Sequence, residues 1–153
     1  MPTVLIIDDD YATRTALETL LKKKRFGVFL APDGPTGIRL IRDVSFDAVV
    51  IDMFMPGMDG LATIRELIKI DPTVPFIAIS GYAFTSKKQG APDFLGMAIK
   101  LGATAALQKP FDTLDLLEAV DGAIEVRQRR LAEAQQPATP HVSGKPHDAH
   151  PGR

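Results

Sequence analysis

Short apolar runs that end in acid alternate with longer amphipathic runs along most of this chain. Thr3 to Ile7 is continuous and apolar and stops at Asp8-Asp9-Asp10, which predicts a buried strand. Ala12 to Lys24 carries Ala16, Leu17, Leu20 and Leu21 at helical spacing, with Lys22, Lys23, Lys24 and Arg25 near its end, where cations suit the helix dipole. Gly27 to Ala31 predicts a second strand, and a helix follows from Asp33 or Gly34 to about Asp43. Asp47 to Ile51 predicts a third strand that again ends at acid, Asp52. The turn-rich stretch Met55-Pro56-Gly57-Met58-Asp59-Gly60 leads to a helix over Leu61 to Ile70, stopped by Pro72, with Asp59 as its N-cap.

Pro75 to Ile79 predicts a fourth strand, ending at Ser80-Gly81. A long loop, Gly81 to Pro92, precedes a helix over Asp93 to Leu101 that Gly102 closes. Thr104 to Gln108 predicts a weaker fifth strand, and Asp112 caps a last helix running to about Leu131. Strands that alternate with helices predict an α/β fold: a doubly wound, five-stranded parallel sheet in the flavodoxin-like order 2-1-3-4-5. The expected division is one domain over residues 1–131 and a disordered tail over 132–153, where Pro, Ala, Gly and His replace apolar residues.

Composition narrows the chemistry. The 153 residues contain no Cys, which excludes disulfides, thiolate catalysis and Cys-ligated metal. A formal net charge of −1 offers no basic surplus for nucleic acid or an anionic membrane. No apolar run approaches the roughly 20 residues of a membrane helix, and a cytoplasmic protein is the expectation. His141, His147 and His150 lie in the tail without fixed spacing, and the basic residues Lys87, Lys88, Arg127, Arg129 and Arg130 are read as solvated.

In the order 2-1-3-4-5 the first and third strands are neighbours, and ligands of open α/β sheets bind at the carboxyl ends of strands at such a switch point. The predicted topology therefore gathers Asp8, Asp9, Asp10 and Asp52 in one crevice. Two carboxylates about 4 Å apart repel by about 1 kcal/mol in water and about 4 kcal/mol at an effective dielectric of 20. One Asp is explained as a helix cap; the group requires a shared proton or a cation. Oxygen donors without His or Cys suit Mg²⁺ better than zinc. Ser80 and Lys109, at the ends of the fourth and fifth strands, add a hydroxyl and an ammonium. Together these make a phosphoryl-transfer set with a carboxylate nucleophile.

Asp8-Asp9, the run from Asp52 to Gly60, Ser80-Gly81 and Lys109-Pro110-Phe111 together resemble the signature of bacterial two-component receiver domains, over roughly residues 3 to 125. The resemblance implies that Asp52 accepts a phosphoryl group from a histidine kinase or phosphotransfer protein and that an unknown downstream protein reads the result. It implies Mg²⁺ held by Asp8, Asp9, Asp52 and the backbone carbonyl of Phe54, with Ser80 and Lys109 on the phosphoryl group and a cis Lys109-Pro110 peptide. Such a protein is a stand-alone signalling switch rather than a turnover enzyme.

Two features depart from that pattern. The 29 positions separating Ser80 and Lys109 exceed the spacing of the compact chemotaxis-type receivers, and Ala106 stands where many receivers carry Tyr or Phe. The usual hydroxyl–aromatic switch is thus unavailable, although Tyr82 or Phe84 offers a substitute ring. The alternative is a phosphate-independent adaptor of the same fold. A haloacid-type phosphatase fits less well because residue 54 is Phe rather than a second acid. A flavin mononucleotide carrier fits less well because three Asp stand where a phosphate loop belongs.

Overall fold

The computed structural model describes residues 1–55, 57–81 and 93–135. The expected features at Pro56, in the segment 82–92 with Tyr82, Phe84, Lys87 and Lys88, and in the tail from residue 136 lie outside the described residues. Five strands, β1 (Thr3–Ile7), β2 (Gly27–Ala31), β3 (Ala48–Asp52), β4 (Phe76–Ser80) and β5 (Ala105–Gln108), alternate with five helices: α1 (Tyr11–Lys23), α2 (Gly34–Asp43), α3 (Gly60–Ile70), α4 (Phe94–Lys100) and α5 (Thr113–Gln135). All strand pairs are parallel and their order is β2-β1-β3-β4-β5, as the alternation predicts.

Side chains of successive strand residues point to opposite faces of the sheet. Leu5, Ile7, Val49, Ile51, Phe76 and Ala78 pack with Ile38, Ile41, Ile64 and Leu67 of α2 and α3. Val4, Ile6, Ala48, Val50, Ile77 and Ile79 pack with Leu17 and Leu21 of α1 and Leu116, Val120 and Ile124 of α5. Both faces of the central strands are covered, which is why these strands read as unbroken apolar runs. Each such side chain contributes roughly 1.5–3 kcal/mol by burial.

Four helices begin on an Asp cap. The carboxylates of Asp10, Asp33, Asp59 and Asp93 accept backbone N–H bonds from Ala12, Thr36, Ala62 and Gly96. A cap of this kind is worth about 1 kcal/mol. Gly102 closes α4 at φ 108°, and the Ala103 and Gly102 amides donate to the carbonyls of Ala98 and Ile99. Gly60, the first residue of α3, sits so close to β3 that a Cβ there would lie 2.5 Å from the Cα of Met53 and 2.8 Å from the carbonyl oxygen of Asp52. Only Gly lets the helix start directly against the end of that strand.

Two expectations are corrected. Helix α5 continues to Gln135 rather than ending near Leu131, so residues 132–135 are helical and not part of a tail. Ala132, Glu133, Ala134 and Gln135 are all strong helix formers, and the next breaker is Pro137. Arg127, expected in solvent, is buried at 4% exposure. It donates to Asp71 at 3.0 Å, to Ser45 at 2.8 Å and to the hydroxyl of Thr73. The reason is its place in the stripe Val120, Ala123, Ile124, Arg127, the face of α5 that lies against the sheet.

Candidate functional site

Strand periodicity decides which side chains meet at the carboxyl edge. Val4 and Ile6 face α1 and α5, so the same row continues to Asp8; Ala48 and Val50 lead to Asp52, and Ala105 and Leu107 to Lys109. Register then aligns the rows, with Ile6 beside Val50, Asp52 beside Ile79, and Ile79 beside Leu107. Carboxylate oxygens of Asp8, Asp9 and Asp52 all lie within 4.8 Å of one another; Asp8 and Asp52 are buried and Asp9 is exposed. The Lys109 ammonium sits 2.8 Å from Asp8 Oδ2 and 3.7 Å from Asp52 Oδ2.

The backbone fixes this group from several sides. Asp8 Oδ1 accepts the Asp10 amide at 2.8 Å, and Asp52 Oδ1 accepts the Phe54 amide at 3.0 Å. The Lys109 amide donates to the Ser80 carbonyl at 2.7 Å, just before the cis Lys109–Pro110 bond. Ser80 itself is 8% exposed at the carboxyl end of β4, on the row of Ala78 rather than that of Asp52. Phe54 joins the site through its backbone, while its ring packs edge-to-face on Phe94 with centroids 5.6 Å apart.

Asp10 turns away to cap α1, accepting from Ala12 and from the Thr13 hydroxyl at 2.6 Å. The Thr13 hydroxyl bond holds its carboxyl below the ordinary range. One residue escapes sequence reasoning altogether: the Arg14 guanidinium donates to the Asp8 carbonyl oxygen at 2.7 Å, tethering the acidic loop to α1. Its signal is weak, because an Arg one turn into a helix is ordinarily a solvated charge.

Among the described residues, three carboxylates face one ammonium. Burial pushes the Asp52 carboxyl up to about 7; the Phe54 amide pulls the other way, the neighbouring Asp8 raises it further, and Lys109 offsets only part. A hard cation answers this imbalance. The donors gathered there are carboxylate oxygens of Asp8, Asp9 and Asp52, the hard, charged set that suits Mg²⁺. The residues therefore fit the ion that the sequence pattern implies.

The family model of the response regulator receiver domain matches residues 4–121. The sporulation initiation phosphotransferase F of Bacillus subtilis is 30% identical over 117 residues, covering 76% of this chain and 89% of its own length. The transcriptional regulatory protein ZraR of Salmonella typhi is 33% identical over 121 residues, covering 79% of this chain, and the chain spans only 26% of that regulator's length. A response regulator receiver domain protein from Clostridium thermocellum superposes with a TM-score of 0.74 at 29% identity, covering 86% of this chain and 99% of its own. Among the described residues, no helix is long and apolar enough to cross a membrane. With a family match over residues 4–121, most of its length, the chain belongs to the response-regulator receiver-domain family.

Proposed function

We propose that this chain is a two-component phosphorylation switch in which Asp52 is the acceptor. The observation that carries the reading is the Asp52 carboxylate itself, buried beside Asp8 and Asp9 with the Lys109 ammonium 3.7 Å away. In the reaction an Asp52 oxygen attacks the phosphorus of a phosphohistidine on a histidine kinase or phosphotransfer protein. A P–O bond forms, the P–N bond breaks, and its electron pair returns to the donor imidazole. The result is an aspartyl phosphate.

The residues divide the work. The Phe54 amide orients one Asp52 oxygen, leaving the other on the Lys109 side. Lys109 opposes negative charge on the phosphoryl oxygens, and Ser80 offers its hydroxyl to one of them. Asp8, Asp9, Asp52 and the Phe54 carbonyl would hold Mg²⁺. Bound there, the ion would supply positive charge against the carboxylates and the phosphoryl oxygens. The near-neutral charge of the chain favours a protein rather than a nucleic acid as the direct reader of the modified surface.

Intact mass after incubation with acetyl phosphate tests the reading. The wild-type chain should gain one phosphoryl group only with Mg²⁺ present, and Asp52→Asn should gain none. A wild-type chain unmodified by acetyl phosphate and by a histidine kinase donor would instead favour the phosphate-independent adaptor.

A further inference from the structure

We propose that the ring contact between Phe54 and Phe94 carries a change at Asp52 into helix α4, replacing the hydroxyl–aromatic switch that Ala106 removes. The inference rests on the phosphorylation reading above. It starts from the double role of Phe54. Its amide donates to Asp52 Oδ1 at 3.0 Å, and its ring meets Phe94 with centroids 5.6 Å apart and planes at 80°. One residue thus touches the acceptor carboxylate through its backbone and the first residue of α4 through its side chain.

Helix α4 is suited to respond. It has seven residues, of which Ala98 alone is fully buried. Just past its C-terminal end, the Thr104 amide and hydroxyl both donate to the Phe76 carbonyl of β4, at 2.9 and 3.2 Å, and fasten that end to the sheet. At its N-terminal end the Asp93 cap bonds Gly96 within the same segment and does not fasten the helix to the sheet. Phe94 is half-buried against the cluster under α3 and α4, and the Phe54 ring bears on it from the site. The helix is therefore held at the end near β5 and approached by the site at the other.

On β5, Ala106 lies beside Ala78 in register. A methyl group has no rotamer to exchange, so no side chain at this position can swing inward when Ser80 moves. Phosphorylation turns Asp52 Oδ2 into the bridging oxygen of an acyl phosphate and leaves Oδ1 a neutral carbonyl oxygen. Because the carboxylate charge is lost as the phosphoryl charge of about −2 arrives, the net addition is about −1. The hydrogen bond from the Phe54 amide to Oδ1 then loses its charged acceptor and lengthens, and the 54 backbone moves with it. An edge-to-face pair is directional, so Phe94 follows the ring or loses the contact. Either outcome changes the start of α4.

The test is a set of ¹H–¹⁵N spectra of the full chain before and after treatment with acetyl phosphate and Mg²⁺, with loading read by intact mass. In the wild-type chain, amides of residues 95–100 should shift on loading. Phe94→Leu lies outside the acidic site and should load equally, with wild-type shifts at residues 8–11. Its shifts at residues 98–100 should shrink roughly threefold, within the range one edge-to-face contact is worth. Phe54→Leu, its loading measured in the same way, should lose the α4 response too, and Phe54→Tyr, which keeps a ring, should retain it. Full-sized α4 shifts in loaded Phe94→Leu or Phe54→Leu would overturn the relay. A loaded wild-type chain whose α4 amides stay still would overturn the relay while leaving the acceptor intact. A wild-type chain that gains no mass would overturn the phosphorylation reading and the relay with it.

Discussion

At the amino edge of the sheet, Arg127 meets Asp71 at 3.0 Å and also bonds Ser45 and Thr73. At the carboxyl edge, Lys109 meets Asp8 at 2.8 Å and Asp52 at 3.7 Å, with Asp9 close by. Both edges bury charge, but only the first balances it. One guanidinium faces one carboxylate, and two hydroxyls take up further bonds. At Asp71, burial raises the carboxyl pKa, yet the Thr73 hydroxyl and amide and the Arg127 guanidinium outweigh burial and hold it below the ordinary value. At Asp52 burial wins. The amino edge ties α5 to the loops ahead of β3 and β4; at the carboxyl edge, among the described residues, the carboxylates outnumber the ammonium.

Removing the tie should produce the largest effect. Arg127→Met leaves Asp71 without its counter-ion and should cost about 3 kcal/mol at pH 7, read from urea unfolding. Asp71 has a lowered folded pKa, so its contribution is present above the ordinary 3.8 and is lost as pH falls through the folded value. The gap between variant and wild type should therefore narrow in acid. A loss under about 1 kcal/mol would make the cluster no more than a surface pair and would dissolve the contrast between the edges.

The carboxyl edge should respond with the opposite sign. The folded pKa of Asp52, about 7, lies above its ordinary 3.8, so the fold keeps a proton that the unfolded chain releases. In metal-free buffer, stability should fall as pH rises between these two values. Asp52→Asn should remove that slope and stabilise the chain by about 2 kcal/mol at pH 8. Equal pH slopes in the two proteins would refute the charge imbalance at this edge.

The smallest effect sharpens the separation of the two ends. Mg²⁺ at ten times its dissociation constant should stabilise the folded chain by about 1.4 kcal/mol. Arg127→Met should show the same increment, because the two clusters share no residue, whereas Asp9→Ala should show less at the same Mg²⁺ concentration. A thermal melt with and without the ion measures all three. An increment that vanished in Arg127→Met would mean that the edges are coupled through the sheet.

The sequence made the strands legible because each is an apolar run stopped by a polar residue, and their observed limits lie within one residue of those expected. The acids were legible for the same reason: Asp8 and Asp52 end runs whose faces are wholly apolar, where folding by itself has no use for charge. Arg127 was not, because its partners Asp71, Thr73 and Ser45 stand 54 to 82 positions away and no local rule pairs them. Its spacing from Val120 and Ile124 was the available signal, outweighed by the usual solvation of Arg. The contact between Phe54 and Phe94 was hidden likewise: a ring just past a strand end has no periodicity to place it.

The bond between Lys109 and Asp8 joins residues 101 positions apart, and this bears on how the protein is made. Synthesis proceeds from the N-terminus, so the three carboxylates leave the ribosome well before the ammonium that partly neutralises them. Closing so long a loop is an entropic cost met only when β5 pairs with β4. A nascent chain that stops short of β5 holds its acids without their lysine. The order of translation thus withholds the lysine from the acidic cluster until the sheet is finished.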